Sequence, residues 1–155
     1  MITTLLFDFS NTLLFAKDKN YSGGLNKLHK ELLAKEQNYN FWNNFELNDE
    51  LINFLETVKT KFNLYIFTSG SVQNTPVVRE RLDKIFSEVY SAEELNVSKK
   101  DPEAFLLISK LVKALPNEIL FIDDDKQNLE AAGQAGLNTI LFKSNIEVIK
   151  NINEL

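Results

Sequence analysis

Asp8 closes an apolar run, Ile2-Thr3-Thr4-Leu5-Leu6-Phe7, and is followed at once by Phe9-Ser10-Asn11-Thr12-Leu13. At the C-terminal end of a strand in an open parallel sheet, such a carboxylate points into the crevice where these folds bind ligands. The alternative is an Asp that caps the next turn. Three later segments bear on the choice. Phe67-Thr68-Ser69-Gly70 puts a hydroxyl pair and a glycine after another apolar run, where hydroxyls and free backbone N–H groups can hold phosphate oxygens. Ser98-Lys99-Lys100-Asp101-Pro102 places lysines just before a helix that opens at Pro102. Such a lysine can neutralise an anion or a phosphoryl-aspartate, or simply lie on a solvated surface. Phe121-Ile122-Asp123-Asp124-Asp125 ends a further run in carboxylates. Like charges so close together need a cation or water to screen them, and hard oxygen donors suit magnesium. Asp125 can instead cap the next helix, but a cap needs only one of them. Asp8, Thr68, Lys99 and Asp123-Asp124 thus form a constellation of nucleophile, phosphate holder, cation and metal site.

Composition excludes several other chemistries. The chain has 155 residues, 44% of them hydrophobic, which suits one ordinary domain with a real core. A net charge of -5 and the lack of long Lys/Arg runs argue against nucleic acid as a partner. With no cysteine there are no disulfides, thiolate catalysis or Cys-based zinc sites, and a single His argues against His-cluster metal sites and Ser/His triads. The chemistry must rest on carboxylates, hydroxyls and lysines. No stretch approaches roughly 18 consecutive apolar residues, and the N-terminus opens directly on a strand pattern, so the expected setting is soluble and cytoplasmic, without a membrane partner. The sequence carries no signal for oligomeric state.

The elements that must position these residues alternate in period. Short apolar runs at Leu5-Phe7, Leu64-Phe67, Ile119-Ile122 and Thr139-Phe142, with a weaker one at Glu88-Tyr90, read as buried parallel strands. Helical stripes run from Asp49 to Lys61, Val77 to Ile85, Pro102 to Leu115 and Gln127 to Ala135. A three-layer α/β/α domain follows. Pro116-Asn117 ends one helix, and Gly136 stops another before the last strand.

Residues from about Phe15 to Asn48 interrupt the alternation. They contain a Tyr21-Ser22-Gly23-Gly24 turn, an amphipathic stretch Leu25-Leu33 and the aromatics Tyr39, Phe41, Trp42 and Phe45. An insertion after the first strand overhangs the strand-end crevice and can act as a lid. Its aromatics are expected to anchor a small core of its own rather than touch substrate, and His29 to be a surface or half-buried residue.

The order of these motifs resembles the haloacid dehalogenase-like hydrolase superfamily from Met1 to about Phe142. Its first motif, Asp-x-Asp-Gly-Thr-Leu, is similar to Asp8-Phe9-Ser10-Asn11-Thr12-Leu13; the second falls on Thr68, the third on Lys99 and the fourth on Asp123-Asp124 followed by Asn128. The helix carrying Ala131, Ala132 and Gly133 is similar to one whose small residues pack closely on the sheet. The resemblance implies a Rossmann-like parallel sheet of order 5-4-1-2-3, in a single domain spanning 1–155 with a short helical cap at about 15–48. It also implies that Asp8 attacks phosphorus to give an aspartyl intermediate that water hydrolyses. Magnesium would be held by Asp8, the Ser10 carbonyl and Asp124, with Asp123 beside them. Thr68, Ser69, Gly70 and Lys99 would hold the phosphoryl oxygens of a phosphorylated substrate.

The match departs from the family at Ser10 and Asn11. A second Asp at position 10 would protonate the leaving group, a role worth roughly 100 to 10,000-fold, and serine cannot fill it near pH 7. A slow magnesium-dependent phosphohydrolase or phosphotransferase and a catalytically impaired binding or regulatory protein are both open. A metal-independent dehalogenase would gain nothing from Asp123-Asp124, and a two-component receiver domain would carry its acidic pair before the acceptor Asp.

Overall fold

In the computed structural model, which describes residues 1–155, the run Thr4–Phe7 forms strand β1 at the centre of a five-stranded parallel sheet. β1 is followed by a two-stranded antiparallel ribbon, β2 (Leu14–Ala16) and β3 (Phe45–Leu47). The sheet continues with β4 (Asn63–Thr68) and β5 (Glu88–Ser91) on one side of β1, and with β6 (Ile119–Asp123) and β7 (Asn138–Leu141) on the other. Counting sheet strands alone, this is the expected order 5-4-1-2-3.

β1 has no polar face because both its sides are covered. Leu5 and Phe7 join Leu64, Ile66, Leu120 and Ile122 under α2 (Asp49–Val58), α3 (Pro76–Leu82) and α6 (Asn145–Asn153). On the opposite face, Leu6, Phe67, Ile119 and Phe121 pack against α4 (Pro102–Val112) and α5 (Lys126–Gln134). This alternation follows from the period of two along a strand. Burying one such Leu or Phe side chain contributes about 1.5–3 kcal/mol.

Helix ends follow local chemistry. The side chains of Asn48, Asp101, Asp125 and Ser144 accept backbone N–H groups at the starts of α2, α4, α5 and α6. α5 closes at Gly136, whose φ of 92° lets Gly136 N–H reach Gly133 O and Leu137 N–H reach Ala132 O, at 3.0 Å each. Several helices are shorter than their apolar stripes. α2 stops at Val58 rather than Lys61, α3 at Leu82 rather than Ile85, and α4 at Val112, where Lys113 turns into the left-handed region with φ 56°. Ala131 and Ala132 pack against the sheet, but Gly133 is exposed and a Cβ there would meet nothing, so close packing does not require it.

The segment between β2 and β3 carries α1 (Leu25–Lys35), so the expected helical insertion has a strand ribbon at its base. Its aromatics do not form a separate core. Phe41 and Phe45 stack at 4.5 Å and belong to the same cluster as Leu5 and Phe7, while Trp42 meets Phe41 edge-on at 4.9 Å and packs half-buried against that cluster. His29 is buried rather than superficial, because its Nδ1 lies 2.6 Å from the Tyr39 hydroxyl inside this cluster. The far end of the segment is tied down by paired amides. Asn48 Nδ2 donates to Asn145 Oδ1 at 2.7 Å and Asn145 Nδ2 returns to Asn48 Oδ1 at 2.9 Å. No helix is long and apolar enough to cross a membrane.

Candidate active site

Asp8, Thr68 and Asp123 come together because parallel pairing brings the ends of β4, β1 and β6 level. Phe7 is in register with both Ile66 and Ile122, and Asp8 N–H donates to Ile122 O at 2.9 Å. All three side chains are buried at the carboxyl edge of the sheet. Asp124, next along the chain, stands at the exposed rim. Oxygens of Asp8, Asp123 and Asp124 lie within 4.8 Å of one another.

Lys99 reaches this cluster from the loop before α4. Its Nζ donates to Asp8 Oδ1 at 2.5 Å and to Asp123 Oδ2 at 2.8 Å, with only 4% of the residue exposed. The ammonium also lies over the rings of Phe67 and Phe121, at 5.7 and 5.3 Å from their centroids. β4 and β6, which bring Thr68 and Asp123 to the sheet edge, therefore also supply an aromatic cage for the cation. Lys100, next in sequence, is exposed.

The electrostatics follow from water exclusion. Burial is the largest influence on Asp8 and pushes its carboxyl up to about 7; Lys99 opposes this, while Asp123 and Asp124 reinforce it. Partial burial, then Asp123, raises Asp124 to about 6. Burial works against the Lys99 ammonium, but Asp8 and Asp123 outweigh it and hold the lysine above its ordinary value.

The carboxylates differ in what they leave free. Asp123 Oδ1 accepts from Asp125 N–H at 2.7 Å, while Oδ2 takes both Lys99 and Asn128 Nδ2, the latter at 3.0 Å. Asp8 is engaged only through Oδ1. Asp8 and Asp124 therefore have more capacity for a cation than Asp123, which orders the others. An all-oxygen donor set of this kind fits magnesium better than zinc or copper. The hydroxyls of Thr68 and Ser10 are buried with no partner. Leaving a buried hydroxyl unpaired costs about 1–3 kcal/mol, so the site fits an oxygen-rich ligand that would satisfy them.

The expected phosphate-holding loop is itself held from the insertion. Asn26 Oδ1, on α1, accepts from both Ser71 N–H and Val72 N–H at 2.9 Å. Gly70 O accepts from Gln73 Nε2 at 2.6 Å and from Ser91 Oγ at 2.8 Å. A Cβ at Gly70 would run into the Asn26 amide, so glycine is needed there for close approach. Ser69 is exposed. Asn11, three residues after Asp8, sits at φ 61° with its side chain exposed, a conformation that asparagine tolerates better than most residues. Sequence reasoning passed over Asn26, Gln73 and the ring cage. Asn26 carries no local signal, since its partner Ser71 lies 45 positions away.

Comparison with known proteins identifies the family and the fold. The profile of a hydrolase family, the haloacid dehalogenase-like hydrolases, matches residues 16–136. A phosphorylated carbohydrates phosphatase of Thermotoga maritima is 29% identical over 89 residues, covering 56% of this chain and 41% of that protein. The chain spans less than half the length of the curated relatives it matches. Among solved structures, a superfamily hydrolase from Geobacter sulfurreducens superposes with a TM-score of 0.70 at 16% identity, covering 97% of this chain and 100% of that one. A family enzyme from Bacteroides thetaiotaomicron, in complex with magnesium and inorganic phosphate, gives 0.66 at 15% identity, covering 92% and 95%. At these identities the structural likeness establishes the fold.

Proposed function

The chain belongs to the haloacid dehalogenase-like hydrolase family, and on that premise we propose that it is a magnesium-dependent phosphohydrolase or phosphotransferase working through Asp8. The observation that carries this reading is the convergence of Asp8, Asp123 and Asp124 within 4.8 Å beside the buried Lys99. The phosphatase among the relatives and the magnesium and phosphate in a structural neighbour support it.

Asp8 Oδ2 is free to attack phosphorus, while Oδ1 is oriented by Lys99. Lys99 and the unpaired Thr68 hydroxyl are suited to the non-bridging oxygens, with Ser69 and Gly70 lining the same loop. Magnesium bound by Asp8, Asp124 and the Ser10 carbonyl would neutralise charge on the transferred group. Asp123, which already accepts from Lys99, Asn128 and Asp125 N–H, would stand beside the metal and hold its neighbours in position. Residues 1–155 act as one domain, with the segment at about 15–48 as a small cap over the crevice.

Ser10 favours a second reading, a binding or regulatory protein with impaired turnover. Its hydroxyl cannot supply the proton that an alkoxide leaving group needs near pH 7. Initial rates on a phenolic phosphate ester, with and without magnesium, separate the two. Hydrolysis above background that is lost in Asp8→Asn supports the enzyme. On an alkyl phosphate ester, whose leaving group needs the proton, Ser10→Asp should then raise turnover by up to roughly 100 to 10,000-fold. No hydrolysis by native protein, Ser10→Asp or Ser10→Asp/Asn11→Gly, with magnesium still bound, would establish the second reading.

A further inference from the structure

A cavity of about 820 Å³ lies apart from Asp8, Asp123, Asp124, Lys99 and Thr68, none of which lines it. It lies between the segment joining α1 to β3 and the start of α3, with Leu33 and Trp42 on one wall and Ser71 and Val77 on the other. We propose that this cavity binds an uncharged, hydroxylated ring: a neutral sugar, or the sugar portion of a phosphorylated one. Only the second source rests on the function proposed above.

The size suits a small molecule, since ligand pockets span about 300–1,000 Å³. Its lining contains no Asp, Glu, Lys or Arg, and His29, held toward its neutral form by burial, is the one basic group. A free phosphate, a nucleotide or a charged peptide would find no counter-charge there. Trp42 and Tyr39 are half-buried, and Leu33 and Val77 each remain 40% exposed, giving apolar surface from both sides of the opening. Between them stand side-chain amides. Asn38 and Asn40 are exposed with no side-chain partner, and Asn74 spends only its Nδ2, on Glu94 at 2.7 Å. An amide offers donor and acceptor side by side, which matches neighbouring hydroxyls, while the C–H face of a sugar ring covers an aromatic face. Ser71 belongs to this cavity and to the loop that Asn26 holds, so an occupant sits one short segment from Thr68.

Trp42 is the sole tryptophan, so its fluorescence reports on this cavity. The probes are glucose, galactose, ribose and their monophosphates, titrated without magnesium into native protein, Asp8→Asn and Val77→Arg. Val77 is exposed on α3, so the arginine should fill the opening without disturbing the fold, as melting curves will show. Saturable change with at least one probe, weakened tenfold or more in Val77→Arg, supports the site. If neutral sugars bind native protein and Asp8→Asn alike, the ligand is free sugar; if only monophosphates bind, the cavity holds the sugar end of a substrate. No saturable change with any probe, or binding unaffected by Val77→Arg, would overturn the proposal. Because the titration needs no turnover, failure to hydrolyse phosphate esters leaves its outcome readable.

Discussion

Lys99 Nζ donates to Asp8 Oδ1 across 2.5 Å, with both side chains almost excluded from water. Removing one member of a buried ion pair typically costs about 3–5 kcal/mol, because the remaining charge is left without compensation. Lys99→Met should therefore destabilise by about 3 kcal/mol or more in urea unfolding at neutral pH. Adding Asp8→Asn should recover part of the loss, a departure from additivity of about 0.5–3 kcal/mol. Strictly additive effects would show that the two groups are not coupled in solution.

On the proposed metal site, magnesium should raise the melting temperature, because the folded arrangement of Asp8 and Asp124 would bind it and the unfolded chain would not. At a hundred times Kd the gain is about 2.7 kcal/mol, and each kcal/mol moves Tm by about 2–4 °C for a chain of this size. Asp124→Asn should remove most of the rise with little effect on apo stability, because Asp124 lies at the rim. Equal shifts in both proteins would exclude Asp124 as a ligand.

Gly70 and Asn26 should behave as one unit. Gly70→Ala drives a methyl group into the Asn26 amide and should cost about 1–3 kcal/mol. Asn26→Ala strips Ser71 and Val72 N–H of their acceptor and should cost about 1 kcal/mol. In the Asn26→Ala background Gly70→Ala should be close to neutral, since the clash is gone. Chemical denaturation of the four proteins tests this, and a full Gly70→Ala penalty in both backgrounds would refute it.

The His29–Tyr39 pair predicts stability losses at both ends of the pH range. Burial lowers the His29 pKa from 6.5, so below that value the unfolded chain binds the proton more readily. The contribution is whole above pH 6.5 and is lost as pH falls beneath it. Burial pushes Tyr39 up from 10.0 to about 12, so its contribution is whole below pH 10.0 and is lost as pH rises through about 12. Denaturant midpoints across pH should show both losses, the acid one missing in His29→Gln and the alkaline one in Tyr39→Phe. An identical acid slope in native and His29→Gln proteins would contradict the burial of His29.

Much of the acidic edge was legible because each piece announces itself locally: an apolar run ending in Asp8, in Thr68 or in Asp123 is a strand delivering a polar group to a sheet end. What depended on distant partners was not legible. The family resemblance pointed to Lys99, but by residue type alone Lys99 and Lys100 are equivalent, and it is the position of the loop against Phe67 and Phe121 that makes one the caged cation and leaves the other in solvent. The absorption of Phe41 and Phe45 into the main core was equally hidden, since it rests on the β2–β3 pairing that brings the segment back into the cluster of Leu5 and Phe7. Helix α6 was overlooked for a different reason. Its residues Ile146, Val148 and Ile149 are strand-formers by propensity, yet Ser144 with Glu147 three positions on marks a helix start, and Ser144 Oγ does accept Glu147 N–H.

The shared core of the β2–β3 segment bears on how the protein can be re-engineered. A module that could be exchanged between relatives would need a boundary of polar, weakly packed residues, so that cutting there leaves both halves intact. Here Phe41 and Phe45 are built into the cluster that buries Leu5 and Phe7, and Asn48 is bound to Asn145 on the last helix. Replacing the segment alone would open a hole in this core and leave the Asn145 amide with Glu50 as its remaining side-chain partner. Changes of specificity are better sought by single substitutions at Leu33, Asn38, Asn40 and Val77, whose side chains contribute little to that cluster, than by grafting.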